Sequence, residues 1–148
     1  MAEPDLAGRT WVRRAISVLT GLWVTVGAAV PIGYAILKLL QSANGGELGP
    51  ELLERPGVVL AILSGYAVAA AMGGWAAGWV TIEKPRRLTA LLSVSQVGTW
   101  LFVLASGAAP FHAGITMGLA AAAVIGTIAG VSARAWQVSR WSRTSVAG

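Results

Sequence analysis

GVVLAILSGYAVAAAMGGWAAGWVTI, residues 57–82, runs without a single charged side chain. As an α-helix it would be ~39 Å long, enough to cross a ~30 Å hydrocarbon core with tilt. The run is apolar at every turn of register rather than at alternate positions. It therefore predicts a membrane-spanning helix and not a barrel strand. Every fourth residue is small: Ala61, Gly65, Ala69, Gly73, Ala77. A second small face, Ala70, Gly74, Gly78, runs beside the first.

Three further stretches of the same kind flank it, at residues 15–40, 88–106 and 111–133. The reading is an all-α integral membrane four-helix bundle, a single transmembrane domain over residues 1–148 with antiparallel neighbours. The first stretch exceeds the 7–15 residues of a signal-peptide core and has no convincing cleavage site after it, so a retained helix is expected. Composition agrees. Of 148 residues, 55% are hydrophobic and only 11% charged, where soluble domains carry about 25%. So few charges cannot cover a water-exposed surface.

Nine of the eleven basic residues fall on one side of this arrangement. They are Arg9, Arg13 and Arg14 before the first span, Lys84, Arg86 and Arg87 between the second and third, and Arg134, Arg140 and Arg143 after the fourth. Arg55 lies in the opposite loop, and Lys38 can snorkel toward that side. The bias predicts cytoplasmic N and C termini in a plasma membrane, with Arg13, Arg14, Lys84, Arg86, Arg87 and Arg134 as anchors. The net charge of +5 is then directed at anionic headgroups of the bilayer rather than at nucleic acid. Trp11, Trp79, Trp136 and Trp141 sit beside these cations, as expected of an interfacial belt.

The loops are short. Residues 41–56 contain Asn44-Gly45-Gly46 and Gly49-Pro50 turn signals, and residues 51–54 read as one helical turn on the surface. Glu83 is placed to pair with Arg87 in the basic turn that Pro85 opens. Consecutive helices joined this closely are expected to be neighbours.

Small-residue stripes recur in the first span (Ser17, Gly21, Thr25, Ala29, Gly33) and the fourth (Gly114, Gly118, Ala122, Gly126, Gly130). Between membrane helices, close backbone approach supplies the dispersion energy that burying leucine does not. Gly65, Gly73, Gly74, Gly78, Gly114, Gly118, Gly126 and Gly130 are accordingly read as helix-packing or interface residues. Two readings stand: tight packing within the chain, or an intermolecular contact through Ala70, Gly74 and Gly78 that makes a homo-oligomer or joins other membrane subunits. The second and fourth spans also match at five of nine positions between residues 65–73 and 118–126, which reads as an effect of composition or, alternatively, as a duplicated helical hairpin.

Polar residues inside a membrane are the natural place to seek function. No Asp or Glu lies within a span, which disfavours ion-coupled transport through a buried carboxylate. The absence of cysteine and the single histidine, His112, leave no set of groups for an intramembrane protease, a metal centre or a ligated cofactor. No enzyme, cofactor or metal is expected; His112 reads as an exposed first-turn residue, with a pH sensor or a single axial pigment ligand as the alternative, and Glu47, Glu51 and Glu54 as a solvated face. Ser93, Gln96 and Thr99 are spaced i, i+3, i+6 near the middle of the third span and form the candidate polar site. They read either as interhelical hydrogen-bonding groups or as a solute, lipid or cofactor contact. Pro31 interrupts the first span and suggests a kink or hinge.

Gly73-Gly74-Trp75-Ala76-Ala77-Gly78, followed by Lys84-Pro85-Arg86-Arg87, resembles in a general way the small four-span membrane proteins of bacteria. The preference for Arg, Ala and Gly points to a GC-rich, actinobacterial type of genome. The expected role is a non-enzymatic scaffold or accessory subunit associating through Gly/Ala helix faces. The alternative is an oligomeric channel or transporter for a small uncharged solute, with its path near Gln96.

Overall fold

A computed structural model describes residues 4–43, 45, 55–80, 84–108 and 112–144, and all its elements are α-helices. They are α1 (Pro4–Ala43), α2 (Pro56–Val80), α3 (Pro85–Ala105) and α4 (Ala113–Thr144). Each is long and apolar enough to cross a membrane. The turn at 51–54, Glu47, Glu51, Glu54 and Glu83 lie outside the described residues, as do the side chains of Arg9 and Arg143.

Local chemistry sets the helix ends. α2 and α3 each open on a proline, where a missing N–H costs nothing. The preceding carbonyl takes the first donors: Val58 and Val59 bond to Arg55 O, and Arg87 and Leu88 to Lys84 O. His112 does the same for α4, accepting from the Ile115 and Thr116 amides at 3.0 and 3.1 Å. It is exposed, as its position implies. α3 stops at Gly107, whose φ of +69° is the left-handed conformation that terminates helices and that glycine adopts without strain. α1 and α4 both outrun their apolar stretches at the basic end. At 40 residues, α1 is ~60 Å long, about twice the thickness of a hydrocarbon core.

Pro31 does not end α1. The helix continues through it to Ala43, and Pro31 and Gly27 both lie on the exposed face. The lost N–H bond to the Gly27 carbonyl therefore falls on the side away from the packed seams.

The contacts define a ring in the order α1, α2, α4, α3. Gly73 meets Gly21 and Thr25, and Gly65 meets Ile32 and Ile36, so α1 and α2 are antiparallel. Gly118 meets Leu63, Gly126 meets Ala67 and Gly130 meets Ala71, so α2 and α4 run parallel. Gln96 bonds Thr127 while Leu88 and Leu92 cluster with Val131, which makes α3 antiparallel to α4. The expectation that every consecutive pair would be neighbours fails at one step. α2 and α3 are joined by the short basic turn yet lie across the diagonal, touching through Tyr66 and Trp100 and through Ala77 in the cluster with Leu88 and Leu92. The reason is steric. The second small face of α2 accepts the small stripe of α4 at backbone distance, and α3, with Leu88, Leu92 and Gln96 on its buried side, has no stripe that could replace it.

α2 is thus packed on two sides. Ala69, Gly73 and Ala77 turn to α1, while Ala70 and Gly74 turn to α4, and all five are buried. The core at the basic end is Ala77, Leu88, Leu92 and Val131, with Val18 packed against it.

Candidate functional site

Glycine sets how near the helices come. A Cβ placed on Gly126 or Gly130 would overlap the carbonyl oxygen of Ala67 or Ala71. One on Gly73 would overlap Thr25 Oγ1 and the Gly21 carbonyl. At Gly74 it would stand 2.9 Å from the Thr127 carbonyl oxygen, and at Gly78 2.9 Å from Arg134 Cγ. The face Ala70, Gly74, Gly78, read above as a possible contact between molecules, is therefore covered by this chain's own α4. Gly114 stands apart: nothing lies within 4 Å of its Cβ position.

Close approach brings polar groups together across the bundle. Thr127 Oγ1 of α4 donates to Gln96 Oε1 of α3 at 2.9 Å. Gln96 Nε2 donates to Thr25 Oγ1 of α1 at 3.4 Å, and Thr25 donates onward to the Gly21 carbonyl at 2.8 Å. The three side chains are at most 2% exposed. An amide unsatisfied in such a place costs several kcal/mol, roughly 2–7. Here a single amide joins three helices. One stratum toward the basic end, Ser17 Oγ of α1 donates to the Ala77 carbonyl of α2 at 2.9 Å.

Of the three residues singled out on α3, only Gln96 belongs to this network. The buried side of α3 steps by four, Leu88, Leu92, Gln96, and not by three. Thr99 is exposed and bonds back to the Ser95 carbonyl. Ser93 is half-buried, and its Oγ is enclosed without a hydrogen-bond partner. The next residue on the four-step side is Trp100, whose indole Nε1 donates to Tyr66 Oη at 3.1 Å with the rings edge to face. Sequence reading missed Trp100, Tyr66 and Thr127. Trp100 was discoverable as Gln96 plus one turn, and Thr127 as the neighbour of a stripe glycine. Beyond Trp100, toward the other end, a small cavity of about 150 Å³ opens between the helices beside Tyr66, Ile32, Gly33 and Leu119.

The basic residues collect at one end of the bundle. Arg134 lies over the Trp79 ring, 3.7 Å from its centroid, and its aliphatic stem covers Gly78. This seals the α2–α4 seam with a cation–π contact, worth ~0.5–2 kcal/mol in general. Arg140 stacks on Trp136 at 4.1 Å in the same manner. Arg13, Lys84, Arg86 and Arg87 are exposed. Arg14 and Arg87 stand on either side of a groove between α1 and α3, with a volume of about 760 Å³. α1 and α3 touch at Gly21–Leu92 and Thr25–Gln96, and the groove runs beside these contacts from Arg14 and Arg87 to Ser95.

Comparison of the chain with protein families, with curated proteins and with solved structures finds no match.

Proposed function

We propose that this chain is a multi-pass protein of a bacterial plasma membrane, with both termini in the cytoplasm, and that it serves as a non-enzymatic scaffold or accessory subunit of a membrane complex. The orientation follows from the cluster of cations at one end of the helices and the positive-inside bias. The role is carried by one observation. The buried polar side chains Ser17, Thr25, Gln96, Thr116 and Thr127 each bond to a backbone carbonyl or to one another, so the interior chemistry goes into holding the helices.

The association surface differs from the one the stripes suggested. α2 uses both small faces within the chain. The glycines exposed in the middle of a helix and open to another one are Gly27 on α1 and Gly98 on α3, with nothing within 4 Å of either Cβ position; Gly33, half-buried, and Gly57 and Gly114, in the first turns of α2 and α4, are open as well. α1 and α3 meet only narrowly where the ring closes, and each has a single extensive neighbour, α2 for α1 and α4 for α3. Gly27→Leu and Gly98→Leu should therefore reduce the size of the assembly seen in mild detergent while leaving the melting of the bundle unchanged. A wild-type chain that travels as a lone monomer from its native membrane would end this reading. Gln96 is 2% exposed and bonded at both ends of its amide, which weighs against a solute path at that residue within one chain.

A further inference from the structure

The groove between α1 and α3 has the chemistry of a lipid site, and we infer that it holds one anionic glycerophospholipid, its phosphate between Arg14 and Arg87 and an acyl chain lying along the groove. The inference rests on the membrane placement proposed above. Gly21 lets α1 approach Leu92 of α3, and beside that contact the groove is walled by Ala15, Val18 and Leu19 of α1 and by Ala90 and Leu91 of α3. The resulting volume, about 760 Å³, falls within the range of ~300–1,000 Å³ typical of small-ligand pockets.

Polarity is graded along this groove. Arg14 and Arg87 stand at its mouth, and Trp11, 69% exposed, stands at the rim. Further in, the walls are Ala and branched aliphatic side chains. Ser95 marks the deep end, but its hydroxyl donates to the Leu91 carbonyl at 2.9 Å and offers no proton to a ligand. From Arg87 to Ser95 the helix rises ~12 Å, so the apolar part reaches well into the hydrocarbon layer. A sugar or nucleotide would find nothing there to bond with. An acyl chain needs nothing to bond with.

Charge decides the headgroup. Guanidinium groups bind phosphate oxygens with paired, charge-assisted hydrogen bonds, and basic pockets between membrane helices on the cytoplasmic side suit anionic lipids. Among the described residues, no acidic side chain lines the groove. A zwitterionic lipid would bring its ammonium to two guanidinium groups, so a headgroup of net negative charge is preferred.

The test is native mass spectrometry of the full chain, released from micelles loaded with equal amounts of phosphatidylglycerol and phosphatidylcholine of identical acyl chains. One retained phosphatidylglycerol with at least a tenfold preference is expected. The pair Arg14→Gln and Arg87→Gln should bring the preference to parity. Ala90→Trp, which fills the groove and keeps both arginines, should remove the bound lipid. Arg86→Gln with Arg140→Gln, cations outside the groove, should change neither, and circular dichroism melting should be the same for all variants. Equal retention of both lipids by the wild type overturns the inference. So does undiminished preference in either groove variant, an equal loss on changing Arg86 and Arg140, or a second copy of the chain in place of the lipid. Since bound lipid is read in micelles, failure here is separable from failure of the topology, which thiol labelling reports.

Discussion

The Thr127 hydroxyl donates to the Gln96 amide oxygen at 2.9 Å, and the same amide reaches Thr25 on α1, a helix with no α-carbon within 8 Å of one in α4. Gln96 is thus the shared partner of two helices whose backbones stay apart. Interhelical hydrogen bonds of this kind average about 0.6 kcal/mol and reach about 1.7. A double-mutant cycle of Gln96→Leu and Thr127→Val, followed by unfolding in micelles, should show a coupling of ~0.5–1.5 kcal/mol. Strictly additive losses would show that the bond contributes nothing.

The α2–α4 seam predicts a contrast between two glycines. Gly130→Ala forces a methyl group into the Ala71 backbone, and overpacking costs typically ~1–3 kcal/mol. Gly98→Ala enters open space in mid-α3 and should be neutral or gain up to ~1 kcal/mol from helix propensity. Thermal melts of the two variants decide the matter. Similar melting temperatures would refute the seam.

The ring order can be checked by cross-linking, since the native chain has no cysteine to interfere. Gly78→Cys with Arg134→Cys should form a disulfide on mild oxidation, because the Gly78 Cβ position lies 3.3 Å from Arg134 Cβ. Thr25→Cys with Thr127→Cys should not, although both residues bond to Gln96. No α-carbon of α1 comes within 8 Å of one in α4, and a disulfide needs less than about 7 Å. The opposite result on gel mobility would reverse the placement of α3 and α4.

Orientation is testable by the same route. Ser106→Cys, at the end of α3 away from the cations, should react with a membrane-impermeant maleimide in intact cells. Ser139→Cys, beside Arg140, should react only after permeabilisation. Labelling of Ser139→Cys in intact cells would place the basic end outside and contradict the positive-inside argument.

Much of the helical content was legible along the chain. An uncharged run of residues 57–82 has few alternatives to a spanning helix, because dehydration of its peptide groups demands internal hydrogen bonds whatever surrounds it. Pro56, Pro85 and Gly107 punctuate the helices for equally local reasons. The stripes of glycine and alanine were visible too, but a stripe does not say which partner it meets. Gly74 could have faced another molecule or its own α4, since both arrangements bring backbones together.

The sequence alone thus determined that the chain makes four apolar helices and that its cations collect at one end, since both follow from properties of single segments. Only the tertiary structure decided that α2 lies between α1 and α4, that α3 sits across the diagonal from α2, and that Gln96 meets Thr127. Those outcomes depend on the fit of two surfaces in three dimensions. The register in which Gly126 and Gly130 close on the carbonyls of Ala67 and Ala71 is a property of the pair, and neither strand of sequence carries it by itself.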